Sequence, residues 1–226
     1  MYWEEDKDNE PPEVDDAVVD LVFGIDCRCL PVDHAYDLSQ AIQHVLPWLP
    51  NEPSVGMHTI HGAASGNGWV RPQGPDDLLQ LSRRTKFTLR VPKHRIEDTM
   101  ELQGKTLDVG GYPLVLKSAT QRPLSVLTTL FARYLATEHD LENEEQLLDW
   151  VARRLQQLNI QPRKLLCGTL HLIKTPAGDV QTRSLMIADL DYDGSLQLQK
   201  QGLGPHRMLG CGLFIPHKGI QALDLD

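Results

Sequence analysis

ENEEQLLDWVARRLQQLNI, residues 142–160, carries Leu147, Leu148, Val151, Leu155 and Leu158 as one apolar stripe at helical spacing, with polar and charged residues on its other faces. This predicts an amphipathic helix lying on an apolar surface, and the flanking sequence supplies one. Downstream, RKLLCGTLHLIK (163–174) and VQTRSLMIADL (180–190) are strand-like runs separated by the turn TPAGD. Upstream, LSVLTTLFARYLA (124–136) reads as a long strand, although the same run also fits a helix. Asp193 to Gln201 then reads as a short helix, and GLFIP (212–216) as a last apolar strand.

The first half has the same rhythm. AVVDLVFGIDCRCL (17–30) is β-branched and partly alternating, and DLSQAIQHVLPWL (37–49) follows as a helix with Leu38, Ile42, Val45 and Leu46 on one face, closed by Pro47 and Pro50. A short apolar segment, SVGMHTIHGA, precedes the turn-rich ASGNGWVRPQGPDD. In TKFTLRVP (85–92), Phe87, Leu89 and Val91 alternate inward while Thr88 and Arg90 face out. Helical HRIEDTMEL and a strand pair around Gly110-Gly111, with second arm YPLVLKSA, complete it. Strand, helix, strand, strand, helix, strand thus occurs twice, the order of a ferredoxin-like (RRM-like) unit, in which helices cover one face of an antiparallel sheet and leave the other for a ligand. The expected fold is α+β: an acidic disordered tail over 1–16, one ferredoxin-like domain over 17–110 and a second over 111–226.

Composition narrows the function. The chain has 226 residues and a net charge of -9, which by itself argues against a phosphate-rich partner. Nine of its 31 acids lie in the first twenty positions, however, and residues 21–226 hold 21 basic against 22 acidic side chains. Within that near-neutral body, RRTKFTLRVPKHR (83–95) has six Lys or Arg and no acid, whereas Glu138–Asp149 has six acids and no base. No run of about twenty uncharged apolar residues occurs and the N-terminus is acidic, so the chain is expected to be cytoplasmic, with no membrane partner. Cys27, Cys29, Cys167 and Cys211 lack zinc spacing and are expected to be reduced thiols, with no metal site.

The glycine-rich loop 202–212 lies in GLGPHRMLGCGLFIP, with Gly202, Gly204, Gly210 and Gly212 around His206 and Arg207. Glycines at this density permit positive φ and close approach of backbone N–H groups to an oxygen-rich ligand such as a phosphate backbone. The pattern is neither G-x-G-x-x-G after a strand nor a P-loop.

This loop resembles the C-terminal glycine-rich loop of the repeat-associated (RAMP) superfamily of CRISPR proteins. The whole chain is similar to its Cas six type endoribonucleases, which cut precursor CRISPR RNA within the repeat. LPVDHAYDLSQAI, LPWL, GMHTIHG with GNGW, and LSRRTKFTLRVP extend the resemblance over about residues 17–217. It implies two ferredoxin-like domains and metal-independent cleavage without a cofactor. It also implies that the loop glycines, His206 and Arg207 hold RNA, and that the product is retained for subunits of a CRISPR effector complex. A non-catalytic crRNA-binding subunit of such a complex is the alternative, and a general ferredoxin-like binding module a second one.

Metal-free RNA cleavage needs a base for the 2′-hydroxyl, an acid for the leaving 5′-oxygen and positive groups around the phosphorane, and histidine suits the first two near pH 7. His34, in D-H-A-Y just ahead of the first helix where the family often places its active residue, is the leading catalytic candidate, with Tyr36 auxiliary. His58 is the alternate, and His61 shares its segment; on a strand the two point to opposite faces. His171 reads as strand packing. Arg83, Arg84, Lys86, Arg90 and Lys93 are expected to track RNA phosphates. Only Phe87 interleaves with them, and it points to the core, which favours groove or stem binding over base stacking.

Overall fold

The structure is a computed structural model and describes residues 17–62, 74, 77–138 and 143–217. The acidic tail and the G-N-G-W motif lie outside these residues. Among the described residues, two main antiparallel sheets are each backed by helices on one face. The first takes β1 (Val18–Asp26), β3 (Gly56–His58), β5 (Lys86–Pro92), β6 (Thr106–Val109) and β7 (Tyr112–Arg122) in the order β3-β5-β1-β7-β6. The second takes β8 (Leu130–Leu135), β9 (Lys164–Ile173), β10 (Val180–Ala188) and β11 (Phe214–Pro216) in the order β11-β8-β10-β9. A two-stranded ribbon of β2 (Cys29–Pro31) and β4 (Leu78–Gln80) stands beside the first sheet. No helix among the described residues is long and apolar enough to cross a membrane.

The decisive helix is α3, Glu144–Gln157. The Asn143 side chain caps it by accepting the Gln146 N–H at 2.9 Å, Glu144 and Glu145 sit in its first turn where the helix dipole favours acids, and Asn159 ends it at φ 57°. Its stripe Leu147, Val151 and Leu155 buries against Leu130, Ala132, Leu185 and Ile187 of the second sheet. Burial of one such side chain is worth roughly 1.5–3 kcal/mol. The fourth helix, α4 (Tyr192–Gln201), begins at the Asp191 cap and adds Leu198 to the same core. In the first half, α1 (Ala35–Val45) buries Leu38 and Ile42, with Leu46 just beyond it, against Leu21, Phe23, Phe87 and Leu89; the short α2 (Ile96–Thr99) follows β5.

Three expectations require correction. The division between the halves falls after Arg122, not at 110, because β6 and β7 are one hairpin and β7 pairs along β1 through Asp20–Arg122. The 124–136 run is strand only from Leu130. Before it, Leu124 packs with Val18 and Leu196, and Ser125 exchanges hydrogen bonds with the Gln199 side chain. Arg90 alternates away from the first core as expected, yet it is 1% exposed. The face it points to is covered by the second half.

That cover is built by two arginines. Arg90 makes a two-point ion pair with Asp20, at 2.8 and 3.2 Å, and donates to the carbonyls of Gln199 at 2.8 Å and Phe214 at 3.0 Å. Arg207 spends its guanidinium on the carbonyls of Val55, Ser54, Lys200 and Gln201. Burial, then the Arg90 charge, lower Arg207 to about 10, leaving it cationic at neutral pH. Arg90 is closed to phosphate, so its expected RNA-binding role gives way to docking of the two halves, while half-buried Arg207 spends its donors on the same docking.

A histidine-lined seam between the two sheets

The loop 202–212 is the hinge of this docking. Gly202, Gly204, Gly210 and Gly212 all have positive φ, from 65° to 87°, as their density predicts. At Gly212 (φ 65°) glycine is required twice, since a Cβ there would also overlap the Leu203 carbonyl. Their N–H groups are largely committed inside the protein: Gly202 bonds Leu198 O, Gly210 bonds Arg207 O and Gly212 bonds Tyr134 O. The expected phosphate cradle is therefore closed at three of its four glycines. The loop instead fixes Tyr134 and brings Gly210 against Met57 and Thr59. His206, at φ 65°, is exposed at its tip.

Three cavities run along the seam between the halves. The first, about 350 Å³, is lined by Asp33, His34, His61, Tyr134, His171 and Lys174 among others. The second, about 200 Å³, is lined by His58, Thr88, Arg122, Arg133 and Ile215, and shares Thr59 and His61 with the first. The third, about 470 Å³, holds Tyr36, Asp37 and Tyr112, and shares Asp33 and Lys174 with the first. His34, His58 and Tyr36 thus line three neighbouring cavities rather than one centre.

His34 is buried, and Ile60 N–H donates to its Nε2 at 3.0 Å while Nδ1 lies 2.9 Å from Pro31 O. Accepting at Nε2 assigns the proton of the neutral ring to Nδ1, leaving no lone pair for a 2′-hydroxyl. In this arrangement His34 ties the segment that carries His61 to the start of α1. His58 Nε2 is inaccessible, has no hydrogen-bond partner, and lies 3.9 Å from Asp20 Oδ1. Burial, and after it the Arg90 charge, push His58 down to about 3 against the opposing pull of Asp20, which makes it a poor proton acceptor at neutral pH.

This displacement has a stability consequence. Between pH about 3 and 6.5 the unfolded chain protonates His58 and the folded chain does not. The unfolded state then binds more protons, so His58 makes stability fall as pH drops through that window. Thermal midpoints should decline from pH 6.5 downward, and His58→Gln should flatten the decline; an unchanged slope would contradict the assignment.

His61 occupies the point where the first two cavities meet. Its Nε2 is 2.8 Å from Thr59 Oγ1, and its ring centroid is 6.3 Å from that of Tyr134. Also against Tyr134, at 5.7 Å and edge-on, is His171, whose Nε2 is 2.9 Å from Thr169 Oγ1. Two imidazoles therefore meet one phenol, with Lys174 in the first cavity and Arg122 and Arg133 in the second. His171 is exposed, not packed as expected. Tyr134 and Arg133, neighbours on β8, and Arg122, at the end of β7, give no local signal in the sequence, because the residues they meet across the seam lie far away in the chain.

Arg83, Arg84 and Lys86 are exposed, the arginines in the turn before β5, and Lys93 is exposed just past its other end. At about 3.3 Å per residue the two groups are separated by roughly 20 Å, so the basic run forms two patches. Among the described residues no group of three or more His, Cys, Asp or Glu side chains is arranged to hold a metal ion.

The profile of the Cas6 CRISPR family matches residues 19–219. The chain belongs to this family. It is 29% identical over 198 residues to the CRISPR-associated endonuclease Cas6 of Myxococcus xanthus (strain DK1622), covering 88% of this chain and 81% of that one. Its fold is similar to a solved CRISPR associated protein Cas6, with a TM-score of 0.59, 14% identity, and 89% and 100% of the two chains covered. A RAMP protein described as binding different RNA substrates matches with a TM-score of 0.59 and 13% identity, over 87% of this chain and 98% of that one.

Proposed function

We propose that the chain is an endoribonuclease that cuts precursor CRISPR RNA within the repeat, without a metal, and retains the mature crRNA for subunits of an effector complex. Family membership and the endonuclease relative support the RNA-processing reading. In each sheet the strand order is that of a ferredoxin-like unit, with the first strand between the third and fourth and the second outermost, which supports two such units joined after Arg122.

The observation that carries the mechanism is the pair of histidines about Tyr134. One imidazole, His61 in this reading, takes the 2′-hydroxyl proton as the 2′-oxygen attacks the adjacent phosphorus. The bond from phosphorus to O5′ then breaks, and His171 returns a proton to that oxygen. The products are a 2′,3′-cyclic phosphate and a 5′-hydroxyl. Arg122, Arg133 and Lys174 supply positive charge to the phosphorane, whose extra negative charge exists only near the transition state. Arg83, Arg84, Lys86, Lys93 and His206 remain exposed sites for the RNA backbone outside the seam.

The test is incubation of the purified protein with labelled repeat RNA from its own array in EDTA. A single EDTA-resistant cut is expected. Tight binding with no cut would instead assign the chain to the non-catalytic crRNA-binding subunits.

A further inference from the structure

The second sheet has a face that α3 and α4 do not touch. Cross-strand registers set Leu166 opposite Met186, Met186 opposite Phe131 and Phe131 opposite Ile215, one row across all four strands. Directly opposed residues in antiparallel strands share a face. The neighbouring row, Leu165, Ile187 and Leu130, turns to the other face, with Leu130 and Ile187 fully buried in the helix-covered core. In the free row Leu166 is 56% exposed, and Met186, Phe131 and Ile215 are half-buried. His217 adds a second ring, 5.9 Å from that of Phe131 and held by its backbone bond to Thr129 O.

We propose that this face is a stacking platform for unpaired RNA bases, with Phe131 and His217 as its aromatic surface; the proposal rests on the RNA-cleaving reading of the seam. Its occupant follows from where the row begins. Ile215 lines the cavity that holds Arg122, Arg133, His58 and His61, and Phe131 lies one strand further on, about 5 Å away. A strand whose phosphate occupies that cavity leaves it directly over Phe131. Bases stack on aromatic rings whatever their sequence, while arginines beside the rings take the phosphates.

The test uses full-length protein and repeat RNA carrying 2-aminopurine at one position at a time, with EDTA present and the 2′-hydroxyl at the cut removed. The RNA is used whole and trimmed stepwise from each end. Quenching is expected at one or two unpaired positions next to the cut. Phe131→Leu should abolish that quenching and weaken whole RNA about ten- to hundredfold, the range for losing one base–aromatic stack, so that whole and trimmed RNA bind alike. Phe131→Trp should restore both. Absence of quenching at every position, or a Phe131→Leu protein that still distinguishes whole from trimmed RNA as the wild type does, overturns the platform and leaves the nuclease reading standing. Quenching in a protein that never cuts would sustain the platform and remove the nuclease.

Discussion

Arg90→Met should destabilise the protein by about 3–5 kcal/mol, the usual cost of stranding one member of a buried ion pair. Asp20 would keep a carboxylate that is 4% exposed with its two-point partner gone, and the Gln199 and Phe214 carbonyls would each lose a donor. At roughly 2–4 °C per kcal/mol for a chain of this size, the thermal midpoint should fall by roughly 6–20 °C. Burial pushes the Asp20 carboxyl up, but the Arg90 guanidinium together with His58 and Arg122 outweighs this and holds it below its usual value of 3.8. The pair's contribution is therefore complete above that value and lost only as pH falls further. Asp20→Leu combined with Arg90→Met should recover much of the loss, because the buried charge is removed along with its partner. A single-variant loss under about 1 kcal/mol would mean that the arginine does not hold the halves together.

His61→Ala is expected to slow cleavage of repeat RNA by about a hundred- to ten-thousandfold, the range for losing a general acid or base, while RNA affinity stays within about tenfold. His171→Ala should fall in the same range. The two losses should combine to less than their product, since neither histidine accelerates the reaction fully without the other. The wild-type rate should be bell-shaped in pH, and each variant should lose one limb. A His61→Ala protein that cuts at the wild-type rate would remove His61 from the mechanism and return attention to His34 and Tyr36.

Local sequence was a good guide wherever the structure is local. The stripe of α3 and the alternation of Phe87, Leu89 and Val91 appear as periodicity because each faces one core. The positive φ values of the loop follow from glycine itself. What local sequence does not carry depends on distant partners. Arg90 is outward by parity, and only the docking of α4 and β11 makes outward mean buried. The loop glycines have the conformation that suits a phosphate, but Tyr134 O, 78 positions before Gly212, takes one of their donors. His34 is a reasonable base until Ile60 N–H occupies Nε2, whereas His61 and His171 become partners only through Tyr134. Base stacking was discounted because aromatics are sparse along the basic strand; Phe131 and His217 meet through β-sheet register, which no single window contains.

The most direct measurement is cleavage in EDTA of two repeat RNAs that differ only in the 2′-hydroxyl on the 5′ side of the cut. The all-ribose RNA should be cut to a 2′,3′-cyclic phosphate and a 5′-hydroxyl, and the RNA with a single 2′-deoxy position should bind equally well and stay intact. Cleavage of the deoxy-substituted RNA at the same bond would show that the 2′-oxygen is not the nucleophile and would contradict the roles given to the seam histidines.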